Sequence, residues 1–325
     1  MYRLFEKNTL YIELTFPGEN ANIIVYKIQY GRGVSMKEIA VKALAKINLG
    51  LDVVRKREDG YHEVKMVMQT IHLFDRLEMK KTQADEITIT TNLTFLPTNE
   101  NNLVYKAAKL LKDEFSIKDG IDVKLHKHIP VAAGMAGGST DAAAVLYGMN
   151  SMFELGLSKG ELMQRGVKIG ADVPYCIMRG TALAEGIGEK LTALPPMVKC
   201  PVLIAKPQIS VSTKFVYENL KLNEGIVHPD IDTLVSDIEA KDLPKIAADM
   251  GNILETVTIP NYPVIAQIKD LMKEQGALNA MMSGSGPTVF GLFDTEETAV
   301  RAYEKMRKSG LAKQVYLTSI YNNAR

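Results

Sequence analysis

The chain has 325 residues, of which 46% are hydrophobic and 24% charged, and its formal net charge is +1 at pH 7. This globular composition allows one large or two ordinary domains, and the near-neutral charge argues against nucleic acid or an anionic membrane as a partner. Because there is no apolar run of about 18 residues and no signal-peptide pattern, we expect a cytoplasmic protein. Cys176 and Cys200 lack CxxC spacing, so we expect them to be buried and structural. We further expect a small-molecule partner and a monomer or homodimer.

Residues 1–35 differ from the rest, and we predict that they lie outside the fold. They mix Phe and Tyr with polar residues and end in GRGVS at residues 31–35. Met36 follows immediately and opens a clear strand pattern, so it is a candidate true start. The alternative is a genuine edge hairpin, because the segments YIELTF and NIIVYKIQY both alternate as strands do.

The first strands of the main fold carry polar side chains. Residues 37–54 contain two apolar runs around Lys46 and Asn48, which share one face of a strand. A lysine in an apolar strand usually extends its ammonium group to the surface, but the paired Asn48 favours a polar site that faces inward. Tyr61 and His62 follow a turn, and they are either loop cover or groups suited to stack on a nucleobase and read its edge.

A run of small residues follows a strand predicted at residues 121–126. In IPVAAGMAGGSTDAAAVLY, residues 129–147, glycines precede an Ala-rich predicted helix. Glycine lets the backbone approach a ligand closely, and a helix start leaves about four amides free, so the segment predicts an anion cradle suited to phosphate. It is neither a Walker loop nor a GxGxxG fingerprint. The alternative is a tight turn with Ser139 or Thr140 as the helix N-cap.

Asp172 lies among apolar neighbours in a segment that we interpret as a helix-to-strand turn. An acid there is either a turn former or, where its neighbours exclude water, a candidate general base. His126 and His128 share a strand face, but no third ligand is near in sequence, so a solvated edge is favoured over zinc.

A new unit is predicted from residue 199 onward, after the linker-like Pro195 and Pro196. Its strands and helices follow an α+β order. A second glycine turn, SGSGP at residues 283–287, joins strands predicted at residues 278–282 and 288–293. Taken alone, this turn indicates only a hairpin.

Three separated motifs together resemble the GHMP kinases, named for galacto-, homoserine, mevalonate and phosphomevalonate kinases. The motifs are AKINLGLDV with GYHEV, PVAAGMAGGSTDAAA, and MMSGSGPTVFGLF. The resemblance implies an α+β, two-domain fold, with a domain similar to ribosomal protein S5 domain 2 at residues 36–198 and a ferredoxin-like domain at residues 199–325. With GADVP, EGIGEKL and ISVST, the chain is most similar to the branch that uses ATP and Mg²⁺ to phosphorylate the 2-hydroxyl of CDP-methylerythritol.

The resemblance also implies roles for single residues. It makes Lys46 and Asp172 the catalytic pair, two residues that their own surroundings had already singled out, and it places Asn102 near adenine. The implied ATP-phosphate contacts are Pro130, Val131, Ala132, Ala133, Gly134, Met135, Ala136, Gly137, Gly138, Ser139 and Thr140. The implied substrate contacts are the polar Asn48 and Thr213 and, around the cytidine, Tyr61, His62 and Tyr217.

The sequence departs from the most glycine-rich form of the loop, and two other functions compete. Ala132 and Ala136 replace glycines, and Asp141 stands where some relatives have asparagine, which bears on loop width and on metal contacts; no metal ligands are assigned. A homoserine or mevalonate kinase would share the loop without needing a cytosine clamp. A non-catalytic nucleotide or sugar sensor would keep the loop alone, and the presence of both Lys46 and Asp172 argues against it.

Overall fold

The computed structural model describes residues 5–6, 9–10, 13–15, 22–30, 36–223 and 225–323. The GRGVS segment that precedes Met36 lies outside the described residues. The strands are β1 (Phe5–Glu6), β2 (Thr9–Leu10), β3 (Glu13–Thr15), β4 (Asn22–Tyr30), β5 (Met36–Lys56), β6 (His62–Thr82), β7 (Ile87–Thr91), β8 (Gly120–His126), β9 (Thr181–Gly186), β10 (Lys190–Ala193), β11 (Pro201–Lys206), β12 (Gly251–Asn252), β13 (Asn279–Met282), β14 (Val289–Leu292) and β15 (Gln314–Ser319). The helices are α1 (Leu103–Glu114), α2 (Gly137–Met152), α3 (Lys159–Val167), α4 (Val173–Met178), α5 (Thr213–Asn219), α6 (Ile231–Ala240), α7 (Leu243–Ala248), α8 (Glu255–Asn261), α9 (Val264–Glu274) and α10 (Glu296–Ser309).

Two long antiparallel strands, β5 and β6, form the centre of the larger sheet. Its main path runs β1-β2-β4-β5-β6-β8-β7. The sequence predicted a polar interruption in β5, but the strand is continuous, with register shifts on either side of Lys46 and Asn48. The strand continues because both of its faces are covered: Ile39 and Val41 belong to one hydrophobic core, and Ile47 to a second.

The Ala-rich helix α2 packs closely on the larger sheet. Its buried residues occupy most of its length, and a Cβ added at Gly148 would lie 1.8 Å from Cε of Met79 on β6. Small side chains therefore let the helix axis approach the strands. The helix ends at Met152, and Phe153 is its C-cap.

The second half of the chain forms a four-stranded antiparallel sheet in the order β13-β14-β11-β15. Numbered along the chain, this order is 2-3-1-4, with α9 preceding β13 and α10 preceding β15. A β-α-β-β-α-β arrangement of this kind is ferredoxin-like. Together with the first sheet, it confirms the predicted α+β, two-domain fold class.

Three local predictions need correction. Asp172 is followed by the short helix α4, so it stands in a turn between two helices and not before a strand. The N-cap of α2 is Ala136, so neither Ser139 nor Thr140 caps it. Helix α8 was not predicted, because Pro260 lies inside it and a proline normally ends a helical pattern.

Other predictions concern the chain as a whole. Cys176 and Cys200 are both free and buried, as predicted. Of the helices in the described ranges, none is long and apolar enough to cross a membrane.

At the N-terminal edge, β3 pairs with β4 and β4 pairs with β5, in the antiparallel manner of the edge-hairpin alternative.

Candidate active site

A cavity of about 470 Å³ lies between the glycine loop, the middle of β5 and the second glycine turn. It brings together residues that are far apart in sequence. The predicted site residues that line it are Lys46, Asn48, Ala132, Ala133, Gly134, Ala136, Gly137, Gly138, Ser139, Asp172, Thr213 and Tyr217. Most of the predicted site therefore surrounds one space.

The glycine loop has an unusual backbone conformation. Ala132, Gly134 and Ala136 all have positive φ, at 50°, 74° and 55°. A left-handed conformation costs a non-glycine residue roughly 1–2 kcal/mol, and such strain is typically kept where it shapes a ligand site. Helix α2 starts at Gly137 with no side-chain capping bond. Its first amides therefore remain available for an anion, as the sequence predicted.

Lys46 faces inward from β5 and does not extend to the surface. Lys46 is only 5% exposed, and its Nζ donates a hydrogen bond of 2.7 Å to Oδ1 of Asn48. The Asn48 amide in turn donates to Sδ of Met66 at 3.5 Å. The backbone N–H of Lys46 also donates to the carbonyl of Met135 at 3.2 Å, which attaches the strand to the glycine loop. The strand thus holds a buried ammonium group beside the loop.

Asp172 occupies the N-cap position of α4 and borders the same cavity. Asp172 itself is half-buried, and the helix that follows it is buried throughout. The nearby thiol of Cys176 has a raised pKa, first because it is buried and then because Asp172 is negative. Cys176 therefore stays a neutral thiol and is not a nucleophile, whereas Asp172 is the acidic side chain that the cavity presents.

An aromatic pair lies at another part of the site. The ring centroids of His62 and Tyr217 are 5.0 Å apart, with the planes tilted by 42°. Burial raises the pKa of Tyr217 to about 12, and burial followed by the charge of Lys56 lowers the pKa of His62. Both rings are therefore uncharged at neutral pH. Tyr61, in contrast, is 62% exposed, and neither it nor His62 is among the residues that line the cavity.

Five predicted ATP contacts lie outside the main cavity. Asn102 caps α1, accepting from the N–H of Val104 at 2.9 Å and donating to the carbonyl of Pro97 at 2.7 Å. It borders a smaller cavity of about 180 Å³, which is also lined by Pro130 and Val131. The remaining two, Met135 and Thr140, are buried in the core.

The second glycine turn contributes residues that the sequence analysis did not assign to the site. Gly284, Ser285 and Gly286 line the main cavity, and the hydroxyl of Ser285 is 2.8 Å from that of Thr213. Asn252 supports this turn by donating to the carbonyls of Met282 and Gly284, both at 2.8 Å. The SGSGP motif was visible in the sequence, but nothing in its pattern indicated that it would pack against a loop about 150 residues earlier.

Comparisons with known proteins agree with this geometry. Residues 102–180 match the family model for the GHMP kinase N-terminal domain and residues 234–312 that for the C-terminal domain. The 4-diphosphocytidyl-2-C-methyl-D-erythritol kinase of Lachnospira eligens is 59% identical over 286 residues, which are 88% of this chain and 99% of the relative.

Solved structures give the same result at lower identity. A crystal structure of 4-(cytidine 5'-diphospho)-2C-methyl-D-erythritol kinase is 28% identical, with a TM-score of 0.74 over 86% of this chain and 98% of that chain. Homoserine kinase from Cytophaga hutchinsonii is 20% identical, with a TM-score of 0.71 over 89% and 96%. The second likeness concerns the fold alone.

Proposed function

Because the chain belongs to the 4-diphosphocytidyl-2-C-methyl-D-erythritol kinase family of GHMP kinases, we propose that it transfers the γ-phosphoryl group of ATP to the 2-hydroxyl of that substrate, CDP-methylerythritol. This step belongs to the non-mevalonate route to isoprenoid precursors. One observation carries the proposal: Lys46, Asp172 and the glycine loop line the same cavity as Thr213 and Tyr217. Catalytic, phosphate-binding and substrate-binding groups are thereby close together.

The chemistry of the step needs an aligned hydroxyl more than covalent help. The substrate oxygen forms a bond to the γ-phosphorus while the bond from that phosphorus to the bridging oxygen of ADP breaks. Asp172 accepts the hydroxyl proton. Lys46, held in place by its hydrogen bond to Asn48, stabilises the oxygen as its charge develops.

The glycine loop binds the ATP phosphates through its backbone. Free amides at the start of α2 and the positive end of the helix dipole both favour the negative phosphates. The described residues contain no group of three or more His, Cys, Asp or Glu side chains that could hold a metal ion. This fits Mg²⁺, which commonly takes one or two protein ligands together with substrate phosphates. Ser139 offers such an oxygen in the cavity, and the bound ion would neutralise phosphate charge.

The aromatic pair accounts for the choice of a cytidine substrate. Tyr217 offers a ring face for base stacking, which is worth roughly 1–3 kcal/mol per base. The uncharged imidazole of His62 can donate from one nitrogen and accept at the other, so it can read the edge of a cytosine. Tyr61 is exposed and free to cover the base from outside. Thr213, hydrogen-bonded to Ser285, contacts the sugar-alcohol part.

A substrate panel tests the proposal. ADP release should be measured with CDP-methylerythritol, homoserine and mevalonate as separate acceptors. We expect turnover with the cytidine substrate and at most traces with the other two. Turnover with homoserine or mevalonate alone would identify a sister kinase, and the absence of ADP release with all three would favour the sensor function.

A further inference from the structure

A lysine and two aspartates form a buried ion cluster beside the glycine loop, and the proposed mechanism does not use it. The ammonium of Lys127 donates to Oδ2 of Asp141 at 2.6 Å and also to Oδ2 of Asp75. The side chain of Lys127 is 4% exposed, that of Asp141 3% and that of Asp75 0%. Desolvation makes buried charges costly unless their geometry and hydrogen bonding are good. We call these residues the Asp75–Lys127–Asp141 cluster.

The cluster joins three separate elements at the two ends of the loop. Asp75 belongs to β6, Lys127 follows β8 directly, and Asp141 lies in the second turn of α2. The second oxygen of Asp75, Oδ1, accepts from the N–H groups of His128 at 2.5 Å and Ile129 at 2.8 Å. The chain entering the loop and the helix leaving it are therefore both attached to the same ions.

The cluster also contacts the loop sterically. A Cβ added at Gly137 would lie 3.2 Å from Nζ of Lys127 and 3.1 Å from Cγ2 of Ile129. The first residue of α2 therefore packs directly on the ammonium group. Lys127 and Asp141 also line the smaller cavity that borders Pro130 and Val131. A change in the cluster would shift the loop, because the two are in direct van der Waals contact and closely packed groups transmit such shifts.

The charges in the cluster are unequal, with two carboxyl groups for one ammonium. Burial would lower the pKa of Lys127, but the carboxylates of Asp141 and Asp75 outweigh burial and hold that pKa above its usual value. Burial raises the pKa of Asp141 well above its usual value, although the charge of Lys127 opposes this. In this geometry, Asp141 accepts the hydrogen bond of the Lys127 ammonium through Oδ2.

We infer that the Asp75–Lys127–Asp141 cluster is a positioning device that holds the two ends of the glycine loop at the spacing needed to bind the phosphates of ATP. The inference rests on the proposed function, since it assumes that the loop binds ATP. The three residues of the cluster do not touch the reacting atoms. They act through the loop backbone, and the amide oxygen of an asparagine could replace the accepting oxygen of Asp141.

Substitutions at Asp141 test the inference by nucleotide affinity. Asp141→Ala removes the link between α2 and Lys127 but leaves the Lys127–Asp75 pair intact, so the fold should be kept. We expect the Kd for a non-hydrolysable ATP analogue with Mg²⁺, measured by calorimetry, to rise about 10-fold, whereas Asp141→Asn should stay within about 3-fold of the parent protein. In the kinase assay, the KM for ATP should rise without a matching rise in the KM for CDP-methylerythritol.

A matched control separates loop positioning from a general effect on the fold. Lys112 is another buried lysine, paired with Asp85 at 2.9 Å outside both cavities. Asp85→Ala removes that partner and should leave the Kd for the analogue unchanged. If Asp141→Ala also left this Kd unchanged, or if it affected both substrates equally, the inference would be wrong.

A second variant covers the case in which Asp141→Ala does not fold. Lys127→Arg keeps the positive charge but places a larger planar group where Gly137 leaves little room, so the Kd should rise by a similar factor; an unchanged Kd would overturn the inference. Because calorimetry needs no acceptor, the result stands apart from the identity of the phosphorylated substrate. Failure of the parent protein to phosphorylate CDP-methylerythritol would instead count against the proposed function.

Discussion

The hydroxyl of Ser283 donates a hydrogen bond of 2.9 Å to the carbonyl oxygen of Gly134 and so joins the two glycine turns, which are 149 residues apart in sequence. At the same point, a Cβ added at Gly134 would lie 2.0 Å from the carbonyl oxygen of Ser283. The positive φ of Gly134, 74°, also disfavours any other residue. The shape of the glycine loop therefore depends on the C-terminal half of the chain.

Gly134→Ala should damage ATP use. The added methyl group must push the two turns apart, and a misplacement of about 1 Å can cost about 10²-fold in rate. We expect kcat/KM for ATP to fall by about that factor. Gly160→Ala in helix α3 is the control, since nothing lies within 4 Å of an added Cβ there, and it should leave the kinetics unchanged. Unchanged ATP kinetics in Gly134→Ala would show that the contact does not shape the site.

Tyr217→Ala should weaken binding of the cytidine substrate and leave ATP binding unchanged. Loss of a stacking contact of roughly 1–3 kcal/mol corresponds to an increase of about 5- to 150-fold in the KM for CDP-methylerythritol. The KM for ATP should not change. Tyr303→Ala on helix α10 is a matched loss of an aromatic ring outside the cavity, and it should affect neither KM. A rise in the KM for ATP with Tyr217→Ala would reverse the assignment.

Protonation of His62 should weaken binding of the cytidine substrate, and it should do so only at acid pH. Burial and Lys56 lower its pKa from the usual 6.5, so the folded protein favours the neutral ring. The contact is then complete at and above about pH 6.5 and is lost as the pH falls through the lowered pKa. We expect the KM for CDP-methylerythritol to be constant from about pH 8 to 6.5 and to rise below that range.

His62→Gln is the control for this pH dependence, because the phosphates of both substrates also titrate in acid. The variant should have a higher KM for CDP-methylerythritol throughout but should lose the part of the acid rise that His62 causes. If the parent protein and His62→Gln showed the same pH profile, His62 would not contact the base.

Residues 1–35 should be dispensable for catalysis. The relative from Lachnospira eligens is matched over 99% of its length by 88% of this chain. Strand β4 pairs with β5 only as far as Val41, whereas Lys46 and Asn48 pair with β6. We propose that the kinase domains are residues 36–198 and 199–325, and we expect a chain that begins at Met36 to keep kcat and both KM values within about 2-fold. An insoluble or inactive product would show that this edge is structural.

Some of the site could be predicted from local pattern. The period of two in a strand placed Lys46 and Asn48 on one face, and they are hydrogen-bonded. The small residues of the glycine loop predicted free amides at the start of α2, because their meaning depends only on backbone freedom. The apolar neighbours of Asp172 indicated a shielded acid, although α4, with six residues and a proline, was too short to show a helical period.

Contacts between distant segments could not be predicted in this way. Lys127 lies 52 residues from Asp75 and 14 from Asp141, and in sequence it was one polar residue between two histidines. Its burial depends on how β6, β8 and α2 meet. The bond from Ser283 to Gly134 likewise depends on the packing of the two halves of the chain, which periodicity does not report.

A double variant tests whether Asp172 and Lys46 act together in the chemical step. Lys46→Ala should lower kcat by about 10²- to 10³-fold, as is typical of losing a group that stabilises developing charge on the reacting oxygen. The double variant with Asp172→Asn should be little worse than either single variant, because both residues act on one oxygen and its proton. Fully additive losses would mean that the two residues act independently.

The kcat of Asp172→Asn, measured with the ATP affinity and the Tm of the same sample, tests the mechanism most directly. The substitution keeps the size of the side chain and removes proton acceptance, so the Tm and ATP binding should be unchanged while kcat falls by about 10²- to 10⁴-fold. A normally folded Asp172→Asn protein with nearly full kcat would contradict the mechanism. Alignment of the substrates by the glycine loop would then be the main source of the rate.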